Sequence, residues 1–225
     1  MNILAIDTSS EYLSLALQCD ATQVFTLEKV GNKQSNHIIP SINELLVSKK
    51  ISVNDIDIIA YNQGPGSFTG LRIGLSVALG LCLGANAKIV AIPAFAIYAQ
   101  NIIDVLNVDK ILIGLDARLS QIYLAGLDLK TFKYFLEPRV VNPNEININD
   151  TRCVGSGFKE YYDLLPEKIQ RICDLNVEYP NALNMLQLVN QKRYAPISIL
   201  DADLLYLRNK VALTTQEQIM AKGLK

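Results

Sequence analysis

Gly64-Pro65-Gly66-Ser67-Phe68-Thr69-Gly70-Leu71-Arg72-Ile73-Gly74 joins a glycine-rich turn to an apolar run in which Ser76 is the sole polar side chain from Ile73 to Ala85. Asp57–Tyr61 reads as a strand that enters this turn, and Ser67 or Thr69 is placed to cap the next helix, over Thr69–Gly84. A helix apolar on every side buries one face in its own core and leaves the other in need of a cover. Leu71, Leu75, Leu79 and Cys82 form one apolar stripe suited to the core. Gly70, Gly74 and Ala78 recur every four residues and share another face, where small side chains let a second backbone come close. We expect that face to meet a helix of another chain; close packing inside the same domain is the alternative. Arg72 sits near the positive end of the helix dipole, which makes it a candidate for an intermolecular ion pair or a bound phosphate, against a solvated arginine. The turn can also touch an anion through its backbone. It is not a Walker A loop, because no lysine follows where that loop needs one.

Around this helix the chain reads as an α/β fold. Ile3–Ile6 is a continuous apolar run, as in a strand buried on both faces. Leu13, Leu15 and Leu17 alternate with Tyr12, Ser14, Ala16 and Gln18, the period of a strand, and Gln23–Val30 suits a third. Ile38, Ile39, Ile42, Leu45 and Leu46 fall on one helical stripe between Ser35 and Lys49, and Pro40 argues for a position near the start of that helix. Lys88–Ile92 is a further strand, and Pro93 opens a helix over Ala94–Leu106. Then the pattern restarts. Lys110–Asp116 repeats the branched strand Asn2–Asp7 that closes on an aspartate, Gln121–Leu127 corresponds to Glu11–Leu17, and Phe132–Val140 stands third. The offset of about 110 residues, counted between Asp7 and Asp116, predicts an internal duplication. The expected division is a first lobe over 1–107 and a second over 108–225. Cys153–Gly157 is a strand end with a turn, Asn181–Gln191 a helix, and the last segment, with Ile199–Leu207, packs back on the first lobe.

Composition narrows the function. With 21 basic and 22 acidic residues the chain has no basic excess with which to hold nucleic acid alone. The four cysteines, Cys19, Cys82, Cys153 and Cys173, lie far apart and read as buried thiols in a reducing compartment. The N-terminus has no basic leader, and the Ile73–Ala85 run falls short of the roughly 18 residues of a membrane span, so a cytoplasmic protein is expected. His37 is the single histidine, which rules out HExxH and any histidine pair, and it reads as an ordinary polar helix residue. No GxSxG elbow accompanies it. Asp7 and Asp116 have two readings. They can face a cleft, one from each lobe, and hold a magnesium–phosphate unit with Thr8 and Ser9, or they can cap turns at strand ends. The loops Thr8-Ser9-Ser10 and Ala117-Arg118-Leu119 contain no glycine to let phosphate approach the backbone, which favours the caps.

Asn2–Ser10 and Tyr61–Gly74 closely resemble the TsaB (YeaZ) family, in which a strand ending Asp-Thr-Ser opens the chain and GPGSFTG(L/V)RIG marks the second long helix. Leu115-Asp116-Ala117-Arg118 resembles the family's second-lobe strand, and Tyr206-Leu207-Arg208-Asn209 its C-terminal YLRN element. The resemblance runs nearly end to end and is weaker over Asn142–Tyr194. One departure is Gln34, where the family often carries a histidine. The resemblance implies an actin-like, heat-shock-chaperone-like ATPase fold of two duplicated lobes of mixed sheet flanked by helices, the second lobe reduced. It also implies a non-catalytic subunit that dimerises with TsaD. With the ATPase TsaE, the pair places threonylcarbamoyl on the adenosine 3′ of the anticodon in tRNAs reading codons that begin with A. TsaD carries the metal-binding histidines and the active site. Homodimers through the same helices are implied when TsaD is absent, with ATP or ADP at the interface and tRNA contacted indirectly.

The residues expected to bind the partner are Ile38, Ile42 and Leu45 on the first helix, with Ser67, Phe68, Thr69, Gly70, Arg72, Ile73, Gly74, Val77, Ala78 and Leu81 on the second. The rival reading is an actin-like ATP-binding hydrolase or kinase using Asp7 and Asp116. No residue is expected to bind metal or act in catalysis under the first reading.

Overall fold

A computed structural model describes residues 1–103, 105–148, 150–175 and 181–208. β1 (Asn2–Asp7), β2 (Tyr12–Cys19) and β3 (Thr22–Lys29) form an antiparallel meander. α1 (Gln34–Ser48) leads to β4 (Ile58–Gly64), and α2 (Phe68–Ala85) to β5 (Lys88–Pro93). β4 runs parallel to β1 and β5 parallel to β4, giving the order β3-β2-β1-β4-β5. β1 is therefore central and covered on both faces, which is why Ile3–Ile6 is apolar without a break. α3 (Ala94–Ile102) then crosses to the second sheet.

β6 (Lys110–Asp116), β7 (Ile122–Asp128) and β8 (Tyr134–Val141) form a second meander. β9 (Cys153–Val154) lies parallel to β6, α4 (Ser156–Glu160) and α5 (Glu167–Gln170) come next, and β10 (Cys173–Asp174) lies parallel to β9. The order β10-β9-β6-β7-β8 repeats the first sheet strand for strand and direction for direction. The second copy is cut down. Where α1 stands in the first half there is a single 3-10 turn, Pro143–Glu145, and the five residues of α4 replace the 18 of α2. α6 (Ala182–Asn190), capped by Asn181, returns to the first half and packs on β1, β2 and α3.

Four apolar layers hold this together. Leu4, Ile6, Leu15, Ile59 and Tyr61 meet α1 and α2 on one face of the first sheet, while Ile3, Ala5, Ala60 and Val90 meet α3 and α6 on the other. In the second sheet Ile111, Ile113 and Leu127 pack against Phe95 and Tyr98 of α3, and Leu112, Ile122 and Cys153 pack against Phe158 and Ile169. The segment after α6 runs back across the first lobe. Ile197 N–H donates to Ile89 O at 2.9 Å, Tyr61 Oη to Asp203 O at 2.7 Å, and Leu205 N–H to Gln63 O at 2.8 Å. Arg208 then reaches the second lobe, donating to Ala117 O at 3.0 Å and Gln121 Oε1 at 2.7 Å. Asn209 and the rest of the tail lie outside the described residues.

Several expectations need correction. Ile38, Ile42 and Leu45, expected to meet a partner, are buried in the chain's own core beneath α1, because that stripe faces β2. Pro40 lies inside α1, six residues after its first, at the cost of one helical hydrogen bond. α3 ends at Ile102, short of Leu106. α2 starts at Phe68 and reaches 18 residues, so by length and composition it is long and apolar enough to cross a membrane. It is nonetheless packed on β4 and β1 along Gly70, Leu71, Gly74, Ala78 and Cys82.

Candidate functional site

The loop after β1 is tied down by the glycine turn. Asp7 Oδ1 accepts the Ser9 N–H at 2.8 Å, and Ser9 Oγ accepts from Asn62 Nδ2 at 3.0 Å. Ser67 N–H donates to Ser9 O at 2.7 Å, and Thr8 Oγ1 donates to Gly70 O at 2.7 Å. The glycines make this approach possible. A Cβ on Gly66 would stand 2.7 Å from Ser9, one on Gly70 2.0 Å from Thr8 O, and one on Gly74 2.4 Å from Thr8 Oγ1. Ser67 Oγ accepts from Gly70 N–H and caps α2. The small-residue stripe Gly70, Gly74 and Ala78 thus faces Thr8 and β1 of its own lobe, not another chain, because the helix must come down onto the strand-end loop. Asp7 itself is 5% exposed. Burial pushes its carboxyl above the ordinary range, against the pull of the Ser9 N–H.

Asp116 sits differently. A cleft of about 620 Å³ opens between the two sheets, lined by Ser9, Asn62, Ser67, Asp116, Arg118 and Tyr206 among others; Asp7 is not on its wall. Asp116 Oδ1 accepts from Arg118 N–H at 2.7 Å and from Tyr161 Oη at 2.8 Å, and Arg118 pairs with Oδ2 at 3.0 Å. Ser156 Oγ accepts the Asp116 N–H at 3.1 Å. Burial and the neighbouring Asp116 carboxylate push the Tyr161 phenol up to about 12. Arg118, Leu119 and Ser120 lie in the left-handed region, at φ of 60°, 54° and 55°, and Arg208 grips the carbonyls at the loop's base. Nothing in the sequence marks Ser156, Tyr206 and Arg208 as cleft residues, or Tyr161 as the partner of Asp116; YLRN carries Tyr206 and Arg208 as a motif without a task. Of the two aspartates, one faces the cleft and the other is closed off. Among the described residues no group of three or more His, Cys, Asp or Glu side chains is placed to hold a metal.

The outer side of α2 is the second feature. Ser67, Phe68, Thr69 and Arg72 are exposed, Ile73, Val77 and Leu81 half-buried, and Leu83 is 71% exposed. Ser76, Gly80 and Gly84 share the outward face four residues apart, and a Cβ on Gly80 or Gly84 would meet open space. This is the outward small-residue stripe, in place of the Gly70-Gly74-Ala78 stripe expected there. α1 packs beside α2 and adds Ile39 and Val47, both more than half exposed. Arg72 has partners within the chain. Its Nε donates to Tyr206 Oη at 3.1 Å, and its guanidinium lies 3.8 Å from the Phe68 ring centre. His37 pairs with Glu28 at 3.3 Å. Gln34 is buried and donates to Ser10 O at 2.7 Å, so at this position an amide ties α1 to the loop after β1.

Residues 28–222 match the family model described as TsaD: tRNA N6-adenosine threonylcarbamoyltransferase. The chain is also 31% identical over 223 residues to the tRNA threonylcarbamoyladenosine biosynthesis protein TsaB of Escherichia coli (strain K12), covering 94% of this chain and 96% of that one. The chain belongs to this family, as a TsaB/YeaZ member. The TsaB of Haemophilus influenzae is 27% identical over 94% of this chain and 95% of its own. Among solved structures, YeaZ from Pseudomonas aeruginosa superposes with a TM-score of 0.78 at 23% identity, covering 92% of this chain and 99% of that one. A protein described as similar to peptidase YEAZ from Pseudomonas aeruginosa does so with a TM-score of 0.81 at 25% identity, over the same shares. The fold shared with these structures is α/β, two mixed sheets flanked by helices.

Proposed function

We propose that this chain is a non-catalytic subunit in the biosynthesis of threonylcarbamoyladenosine in tRNA, docking on TsaD through the outer face of α2 and the neighbouring edge of α1. One observation carries the reading: a helix apolar all round has its small-residue stripe Ser76, Gly80 and Gly84 turned outward, flanked by Ile73, Val77, Leu81 and Leu83. Glycines there let a partner helix approach closely, and the flanking side chains supply apolar area, at roughly 25 cal/mol per Å² before the costs of association. Two copies use the same face when TsaD is absent. TsaE joins the assembly, ATP or ADP binds at the interface with the partner, and tRNA is held by other subunits, in keeping with the balanced charge. The work is cytoplasmic, where tRNA is modified. The closed loop at Asp7 supports a supporting role over an actin-like hydrolase, since that chemistry needs a carboxylate from each lobe on the cleft.

The test is calorimetric titration of TsaD with Gly80→Leu. The leucine meets open space in the free subunit, so its melting point should hold while affinity for TsaD falls at least tenfold. Unchanged affinity with an intact fold would remove the outer face from the interface. Titration of the isolated chain with Mg-ATP tests the hydrolase reading, which low-micromolar binding would revive.

A further inference from the structure

Cys153 and Cys173 are separated by 20 positions in sequence and stand directly opposite each other in the structure, as register partners on the parallel strands β9 and β10. Register partners in a sheet project to the same face. Both thiols accordingly enter the same apolar layer, with Leu112, Phe158 and Ile169, while Val154 points into the layer on the other side. The Cys153 thiol donates to Thr151 O at 3.4 Å. Cys153 is wholly buried and Cys173 half-buried, so a reagent reaches the second sulfur first. Cys19 and Cys82 have no such neighbour among the described thiols; Cys82 is sealed in the first lobe's core and Cys19 ends β2.

We propose that Cys153 and Cys173 are a redox modification site, closed to an intramolecular disulfide by a low-molecular-weight disulfide such as oxidised glutathione and reopened by thiols. Cys173 Sγ, as thiolate, attacks one sulfur of the oxidant, forming a mixed disulfide and expelling one glutathione thiolate. Cys153 then gives up its proton and attacks Cys173 Sγ, expelling the second glutathione. Two electrons pass from the protein thiols to the oxidant, and the two protons end on the two glutathione thiols. The neighbouring Cys153 thiol favours the thiolate at Cys173, while Cys173 and burial hold the proton on Cys153, which sets this order of attack.

The geometry favours a labile bond over a permanent staple. Neighbouring strands run about 4.8 Å apart, whereas a relaxed disulfide brings the Cβ atoms to about 3.8 Å. Closing it draws β10 inward. That strand is two residues long and lies at the sheet edge, so the adjustment is local, and strain makes the bond easier to reduce. The closed loop spans α4 and α5 and begins next to Ser156, whose hydroxyl holds the Asp116 backbone on the cleft wall.

The test exposes the full native chain to excess oxidised glutathione and reads intact mass, free thiols and peptide maps. The expected product has lost two hydrogens, keeps two of its four thiols, carries a Cys153–Cys173 linkage, and reverts with dithiothreitol. Cys153→Ser should stop at a glutathione adduct on Cys173, and Cys173→Ala should leave Cys153 unmodified. Four free thiols after prolonged exposure, a glutathione adduct persisting on the parent chain, or a linkage to Cys19 would overturn the assignment.

Discussion

Asp7 ends the central strand of the first sheet and Asp116 the central strand of the second, yet Asp7 is 5% exposed beneath Ser9 and the glycine turn, while Asp116 lines the cleft beside Tyr161 and Arg118. The strands around them repeat in order and direction, so the difference lies in the helix after the fourth strand of each half. In the first half an 18-residue helix comes down on the strand-end loop, and Ser67 N–H, Gly70 O and three glycine contacts close it. In the second, α4 has five residues, and the loop at 117–120 stays open in a left-handed path gripped by Arg208. The closed loop keeps Asp7 off the cleft wall. The same long helix gives the first lobe an apolar outer surface. A duplicated frame thus carries an apolar outer helix face in one copy and an open polar wall in the other.

The largest effect should come from breaking the contact that closes the first loop. Gly70→Val puts a Cβ against Thr8 O and should cost about 3 kcal/mol in urea unfolding. Gly157→Val in the second lobe meets the Leu115 backbone at 2.8 Å and should cost less, about 1–2 kcal/mol, because the short α4 can shift. Equal costs would mean that the two lobes are closed alike.

Asp7→Asn sharpens the comparison through pH. Burial raises the Asp7 carboxyl above the ordinary 3.8, so the folded chain holds that proton more tightly than the unfolded one. Stability then falls as pH rises from 3.8 through the raised value, and the full penalty stands above it. Asp7→Asn keeps an oxygen to accept the Ser9 N–H and should flatten this fall, leaving the variant more stable than the parent at pH 7 and level with it at pH 3. Thermal melts across that range check it; a parallel offset at every pH would show that Asp7 does not titrate with folding.

How much of this is legible in the sequence depends on the range of the interaction. The two branched strands closing on aspartate and the Ser67 cap are local patterns, and they stand where the residues put them. The orientation of α2 is not local. Periodicity separates Gly70-Gly74-Ala78 from Ser76-Gly80-Gly84, but both stripes are small and apolar, and nothing in the spacing says which one meets Thr8. Spacing likewise puts Ile38, Ile42 and Leu45 on one face of α1 without saying that this face turns inward. β9 and β10, two residues each, are too short to show a period, so the pairing of Cys153 with Cys173 leaves no trace in the sequence. Among the described residues the C-terminal strap holds one 3-10 turn and a bridge from Ile197 to Ile89, and single side chains carry it to both lobes.

The smallest predicted effect belongs to that strap. Tyr206→Phe removes the hydroxyl that accepts from Arg72 Nε but keeps the ring tilted against Phe68, and should cost about 0.5 kcal/mol in the same unfolding assay. A loss several times larger would make the strap, not the loop after β1, the main clamp on α2.

The central claim is that α2 has an inward stripe for its own lobe and an outward stripe for a partner. The direct measurement compares Gly74→Leu and Gly80→Leu for melting temperature and for TsaD affinity by titration. The account predicts that Gly74→Leu loses stability, because its side chain meets Thr8, and that Gly80→Leu melts like the parent but binds TsaD at least tenfold more weakly. A Gly80→Leu chain that folds and binds as the parent does would contradict it.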